Sequence, residues 1–221
     1  MIERTLLLFL VIISIHLSCS GPSGDQEALP ILGNKHTEEK IINGNTVINT
    51  VYHKIAPFEL INQDGERVNN ETVKGKVYVA DFFFTSCPTI CPIMKKEMLR
   101  VYEKFNNTPD FKILSHTIDP EYDSVALLKD FSLRLGVENS NTWNFLTGDQ
   151  EHIFELGQTS YLTTAMENKD EPGGFLHSGA FVLVDQMGRI RGVYDGTKEK
   201  EVNRLIKDIP KLFRQDEIEP A

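Results

Sequence analysis

Gly75-Lys-Val-Tyr-Val-Ala-Asp-Phe-Phe-Phe-Thr-Ser-Cys-Pro-Thr-Ile-Cys-Pro-Ile-Met94 is the stretch whose reading decides the fold. Its first half is a near-continuous apolar run, as expected of a central strand buried on both faces. The run stops at two cysteines, Cys87 and Cys91. Beyond them Met94, Met98, Val101, Tyr102 and Phe105 fall at helical spacing, with Lys95, Lys96, Arg100 and Lys104 between them. A buried strand therefore feeds directly into an amphipathic helix, with both cysteines at the junction. Pro88 and Pro92 suit a first helical turn, where a missing N–H costs nothing. Four residues is about one turn, so both sulfurs leave from one small surface. The free N–H groups and dipole at that end favour thiolate. The pair is expected to be exposed, electropositive and close enough to chelate a metal or close a disulfide.

Working outward, residues 111–118 read as a second strand ending at Asp119-Pro120. Asp123 or Ser124 caps a helix that turns Val125, Leu128, Phe131 and Leu135 inward and stops at Gly136. Residues 143–146 form a third strand, and Asp149 opens a short helix. Residues 181–184 and 190–194 form an antiparallel hairpin, and Thr197 caps a last helix carrying Val202, Leu205, Ile206 and Ile209. Upstream, Ile41-Ile42-Asn43-Gly44-Asn45 marks a hairpin turn, and residues 57–65 a short strand and turn. Strand–helix alternation closed by a hairpin and helix predicts an α/β three-layer sandwich with a mixed sheet. A cysteine-bearing first helix after a buried strand is the thioredoxin-like arrangement.

The chain has 221 residues, 40% of them hydrophobic, enough for one compact domain whose core needs no disulfide or metal. Its cysteine chemistry is therefore functional. A net charge of −9 argues against nucleic acid as a partner, since such binding rests on neutralising phosphates. Residues 6–17 are an apolar run after Arg4. At ~1.5 Å per residue it reaches about 18 Å, short of the ~30 Å hydrocarbon core, and so reads as the h-region of a signal peptide. Leu17-Ser18-Cys19-Ser20 follows, then a polar Gly-Pro-Ser-Gly stretch. This is similar to a bacterial lipoprotein signal, although His16 stands where an aliphatic residue is usual. Residues 1–18 are expected as signal, Cys19 as the lipidated residue and 19–28 as a linker. Residues 29–215 are then the domain and 216–221 a tail. An uncleaved anchor and a simple secreted product are the alternatives. In the first two cases the domain is tethered to a bacterial membrane outside the cytoplasm, on the periplasmic side.

Two thiolates at this spacing select a soft metal. An iron–sulfur cluster wants about four thiolates, and structural zinc wants more Cys or His nearby. Copper, Cu(I) or Cu(II), fits two sulfurs and one nitrogen. The nitrogen is assigned to His177, after a long polar loop over residues 163–174. In a thioredoxin fold that loop faces the cysteines and carries a cis-proline, whereas here Phe175-Leu-His-Ser-Gly179 has none. His116 reads as a partly buried structural residue, His53 and His152 as surface residues, and His36 as part of a turn or linker. Asp119 ends its strand on the side where open α/β sheets bind ligands. It is either a partner to the metal ligands or a turn residue.

Phe84-Thr-Ser-Cys-Pro-Thr-Ile-Cys-Pro92 resembles the signature of the Sco/SenC family. Thr117-Ile-Asp-Pro-Glu-Tyr-Asp123 is similar to that family's Asp-Pro-x-x-Asp segment, and His177 matches its essential histidine. The resemblance covers residues 57–213. It implies a copper chaperone that delivers metal to the copper-site subunit of cytochrome c oxidase, with Cys87, Cys91 and His177 as ligands. A copper donor and a thiol reductant are implied as further partners. The alternative is a thiol-disulfide reductase acting on the target's cysteines, with Cys87 attacking and Cys91 resolving. Whether the protein is an enzyme turns on that choice, and the chaperone reading is preferred.

Overall fold

The computed structural model describes residues 28–171 and 173–215, the side chains of Arg214 and Gln215 excepted. A hairpin of β1 (Lys35–Ile42) and β2 (Asn45–Tyr52) comes first, followed by β3 (Glu59–Ile61), β4 (Arg67–Asn69) and α1 (Asn70–Val73). Then come β5 (Val77–Phe83), α2 (Cys91–Phe105), β6 (Phe111–Thr117), α3 (Val125–Arg134), β7 (Trp143–Leu146) and α4 (Gln150–Glu155). The described residues close with β8 (Ala165–Glu167), β9 (Phe175–His177), β10 (Ala180–Val184), β11 (Ile190–Asp195) and α5 (Glu199–Gln215).

The main sheet has the order β11-β10-β5-β6-β7, with β5 in the middle. Strands β5, β6 and β7 run parallel, and β10 and β11 antiparallel, which is the mixed sheet expected. Every residue of β5 is buried. Alternate side chains of β5 feed two cores. Phe83 stacks on Phe131 of α3 and lies beneath Lys95 of α2, while Phe82 stacks on His116 and meets Tyr161 beyond α4. Helix α5 packs beside α2, and Tyr194 of β11 donates to Asp208 of α5 at 2.9 Å. The sheet is thus covered on both faces. The Asn43-Gly44 turn has φ of 52° and 79°, the left-handed pair that a two-residue hairpin loop demands.

Several local expectations are corrected. Lys95 does not lie on a polar face: it is 3% exposed, its Nζ 2.7 Å from the buried Asp81 carboxylate and over the Phe83 ring. Of the two cap candidates for α3, Ser124 takes the role, as the sequence allowed, accepting from Leu127 N–H at 3.3 Å. The Thr197 hydroxyl donates to Asp195 instead of capping α5. Only Pro92 lies in the first turn of α2, because the helix begins at Cys91; Pro88 belongs to the preceding loop. His36 stands in β1, not in a turn or linker. His53 is half-buried and directs Nε2 at the Ser160 carbonyl, 2.7 Å away. His116 is wholly buried, and burial pushes its pKa down to about 4.

Asp81 is 0% exposed and its ion pair is closed to water. Removing one member of such a pair strands the other charge, at a cost of ~3–5 kcal/mol. Urea denaturation of reduced Lys95→Ala is expected to show a loss of that size. The neighbouring exposed Lys96→Ala is expected to change stability by no more than ~0.5 kcal/mol.

Candidate metal centre

Strand β5 ends at Phe83, and Cys87 N–H donates to the Phe84 carbonyl at 3.3 Å, closing a tight turn. A second tie holds that turn. The buried Asp123 carboxylate accepts from Thr85 N–H at 3.0 Å, from the Thr85 hydroxyl and from the Thr117 hydroxyl. Thr85 stands two residues before Cys87, so Asp123 fixes the path into the cysteine loop. Asp119 serves the same turn through its backbone. Its carbonyl accepts from Tyr122 and Asp123 N–H, and its own N–H donates to Thr117 Oγ1. Burial, then the neighbouring Asp123, Glu121 and Glu167 charges, hold its carboxyl above the usual range despite the Tyr122 N–H. Its carboxylate does not belong to the group formed by the cysteines and histidine.

The histidine arrives on a hairpin rather than on an irregular loop. β8, inside the polar segment 163–174, pairs antiparallel with β9 just after it, placing Ala165 opposite His177. Ser178 N–H donates to the Thr164 carbonyl at 3.0 Å, and the Thr163 and Ser178 hydroxyls are bonded. The hairpin folds down over Phe84, whose ring contacts Phe175 and meets His177 edge-on. Gly173 makes this closure possible. It has φ of +91°, and a Cβ there would lie 2.8 Å from the Phe84 ring.

Three donor atoms converge: Cys87 Sγ, Cys91 Sγ and a His177 ring nitrogen all lie within 4.8 Å of one another. His177 Nε2 is 3.3 Å from Cys91 Sγ and 3.8 Å from Cys87 Sγ. Its Nδ1 is 3.3 Å from the Ser178 carbonyl, which can only accept, so Nδ1 carries the hydrogen and Nε2 is turned to the sulfurs. A metal-ligating histidine is oriented in the same way, by a carbonyl on its other nitrogen. The cysteines are not exposed as expected. Cys87 is 7% and Cys91 4% accessible, because the β8–β9 hairpin lies across the turn. A cavity lined by Phe84, Thr89, Ile90 and Glu171 reaches Cys87 and His177, and Cys91 lies behind them.

The two thiols share a proton unequally. A hydrogen bond from Cys91 holds the Cys87 sulfur well below the usual thiol range against the effect of burial, with help from His177 and the Thr89 and Cys91 N–H groups. Cys91 is pushed up, first by that same bond to Cys87 and then by its own burial. Cys87 is therefore the anion of the pair. Two functional side chains escaped the sequence reading. Lys95 was hidden because a lysine between apolar helix positions looks solvated; the acid inside the apolar strand, Asp81, was the signal for it. Asp123 is one of two cap candidates in the sequence, and nothing local shows that its carboxylate instead holds Thr85. Cys19 lies outside the described residues. Among the described residues no helix is long and apolar enough to cross a membrane.

The profile of the SCO1/SenC family matches residues 48–214. A curated relative, the SCO1 protein homolog of Bacillus subtilis, is 33% identical over 168 residues, covering 75% of this chain and 86% of that one. Among solved structures, a SCO1/SenC family lipoprotein from Bacillus anthracis superposes with a TM-score of 0.67 at 30% identity, over 73% of this chain and 96% of that one. BsSco, described as a member of the Sco family of cytochrome c oxidase assembly proteins with a disulfide switch, gives 0.65 at 32%, over 73% and 94%. ScoI of Arabidopsis thaliana with copper bound gives 0.59 at 27%, over 72% and 98%.

Because Cys87 is the anionic member, a limiting alkylating reagent is expected to modify it ahead of Cys91. Modification should persist at about pH 6, where an ordinary thiol of pKa ~8.5 is almost wholly protonated. Cys91→Ala removes the main donor and should move the Cys87 titration upward. Peptide mapping after alkylation across pH reads both effects.

Proposed function

The chain belongs to the SCO1/SenC family and has its thioredoxin-like fold, and on that premise we propose that it is a copper-binding metallochaperone serving the copper site of cytochrome c oxidase. The observation that carries this is the buried convergence of Cys87 Sγ, Cys91 Sγ and His177 Nε2. Two thiolates and one imidazole are a soft donor set, suited to Cu(I), and the nitrogen admits Cu(II) as well. Copper is the cargo. The cavity beside Cys87 and His177 is the approach by which a target's ligands reach it. The domain is exported and held to the membrane through a lipid on Cys19. The membership of a B. anthracis lipoprotein in the same family supports that anchor. A separate copper donor and a thiol reductant complete the cycle, since the pair must be reduced to receive Cu(I).

A second reading rests on the lowered pKa of Cys87. The Cys87 thiolate attacks a disulfide of the target, one target thiolate leaves, and Cys91 resolves the mixed disulfide. The target gains two electrons, and Cys87 and Cys91 are left oxidised until the reductant restores them.

Copper titration separates the two. The reduced chain is expected to bind one copper. His177→Ala should weaken binding by more than the ~10–100-fold that loss of an outer partner costs. Copper binding indifferent to His177→Ala would sink the chaperone site. Disulfide turnover that survives His177→Ala would establish the reductase. For the anchor, Cys19→Ser is expected to shift the chain out of the lipid-labelled membrane fraction; unchanged lipid labelling would exclude Cys19.

A further inference from the structure

The fold has two chemically different ends. At the C-terminal end of β5, around the cysteine pocket, stand Asp119, Glu121, Glu167 and Glu171; three of these lie close enough together for Glu121 and Glu167 to raise the Asp119 carboxyl. At the other end the parallel strands begin and the β10–β11 turn lies. There Gly75 N–H bonds Gln186, Ile55 N–H bonds Gly188, and Gln186 Nε2 bonds the Leu212 carbonyl of α5. Lys54, Lys74, Lys104 and Lys207 are exposed at this end. Lys74 is paired with Glu71, Lys76 with Asp110 and Lys211 with Asp208, whereas Lys54, Lys104 and Lys207 form no ion pair among the described residues and leave this end with an excess of lysine.

The chain also leaves the fold at the lysine end. Leu32 N–H donates to the Ile190 carbonyl at 2.8 Å, and Arg191 binds the Pro30 and Leu29 carbonyls. Ala28, Leu29 and Pro30 form one wall of a groove whose other wall is Arg204, Lys207, Asp208 and Lys211, a wall with three bases to one acid. The β1–β2 hairpin is rooted here too, through His53 N–H on the Asn34 carbonyl and Ile55 on the turn at Gly188. Its two strands are exposed almost throughout, and its tip carries Ile41 and Ile48 at 81% and 66% exposure, with Ile42 and Val47 beside them.

We propose that this end is the surface that faces the lipid bilayer. The lysines lie against anionic headgroups, the aliphatic hairpin tip enters the interface, and the copper pocket points away from the membrane. The inference rests on the anchored reading. From Cys19 to Ala28 is nine residues, a reach of about 30 Å when extended, so the domain is confined near the bilayer and leaves it from the lysine end. Charge complementarity names the occupant: a chain of net charge −9 presents lysines where its tether departs, and anionic lipid attracts them within a Debye length. The exposed isoleucines suit the headgroup boundary, which accommodates an apolar tip, and Glu38 and Glu39 lie back from that tip along β1.

The test uses the full chain in phosphatidylcholine–phosphatidylglycerol vesicles with and without brominated acyl chains. Ile41→Trp fluorescence is expected to be lost to bromine, and that of Glu121→Trp, at the pocket end, to be kept; the buried Trp143 gives a constant background. Adding Lys207→Glu with Lys211→Glu should reduce the loss at position 41. No loss at 41, or equal loss at both positions, overturns the proposal. So does an Ile41→Asp exchange that turns a dimer into a monomer in sedimentation, because the hairpin would then pair with a second copy. The anchor is read separately by lipid labelling of Cys19→Ser. A chain without lipid whose Ile41→Trp signal is still lost to bromine would remove the anchor and keep the membrane-facing end.

Discussion

An ionised carboxylate in the middle of a fully buried strand is the constraint from which the rest follows. Asp81 has no access to water, and its charge is tolerable only with a hydrogen-bonded counter-charge at hand. Lys95 supplies it from α2, Ser115 supplies a hydroxyl from β6, and Trp143 of β7 bonds that same hydroxyl. One polar cluster thus ties three adjacent strands to a helix, and it sets the rotation of that helix about its axis. Cys91 lies one turn before Lys95, on the same face. With Lys95 turned down onto the sheet, Cys91 must stand over the end of β5, facing the turn that carries Cys87.

The centre is then assembled from three directions, each locked independently. Asp123 holds Thr85 and with it the start of the cysteine loop. The helix places Cys91. The β8–β9 hairpin brings His177 in, and Phe84 and Gly173 set how closely it approaches. Because His177 Nδ1 is committed to a carbonyl, Nε2 has the two sulfurs as its neighbours. A centre made in this way is preorganised for a small soft ion. It also separates the two thiols electrostatically, with the anion on Cys87. Metal transfer and the alternative of disulfide exchange would each draw on that asymmetry.

Polarity on a larger scale matches the polarity of the site. Parallel strands gather their C-terminal ends, the adjoining loops and the acidic residues at the copper pocket. They leave the strand starts, several lysines and the departing chain at the other end.

Much of this was legible from one dimension. An unbroken apolar run, a Cys-x-x-x-Cys at its end and helical periodicity beyond it determine a central strand, a helix and two neighbouring thiols, because these depend on local spacing. The Asn43-Gly44 turn and the final hairpin are local in the same sense. His177 is reachable from the sequence only through the fold, which sets the loop that faces the cysteines, and through the family resemblance. Tertiary structure alone decided what depends on burial and on partners distant in sequence. It placed Lys95 inside rather than on the solvated face, turned Asp123 from one of two cap candidates into a clamp on Thr85, and paired β8 with β9 in a hairpin that covers the thiols. Side-chain type does not reveal whether a charge is exposed or paired; only the group brought opposite it does, and Asp81 meets Lys95, as Thr85 meets Asp123, only once the chain has folded.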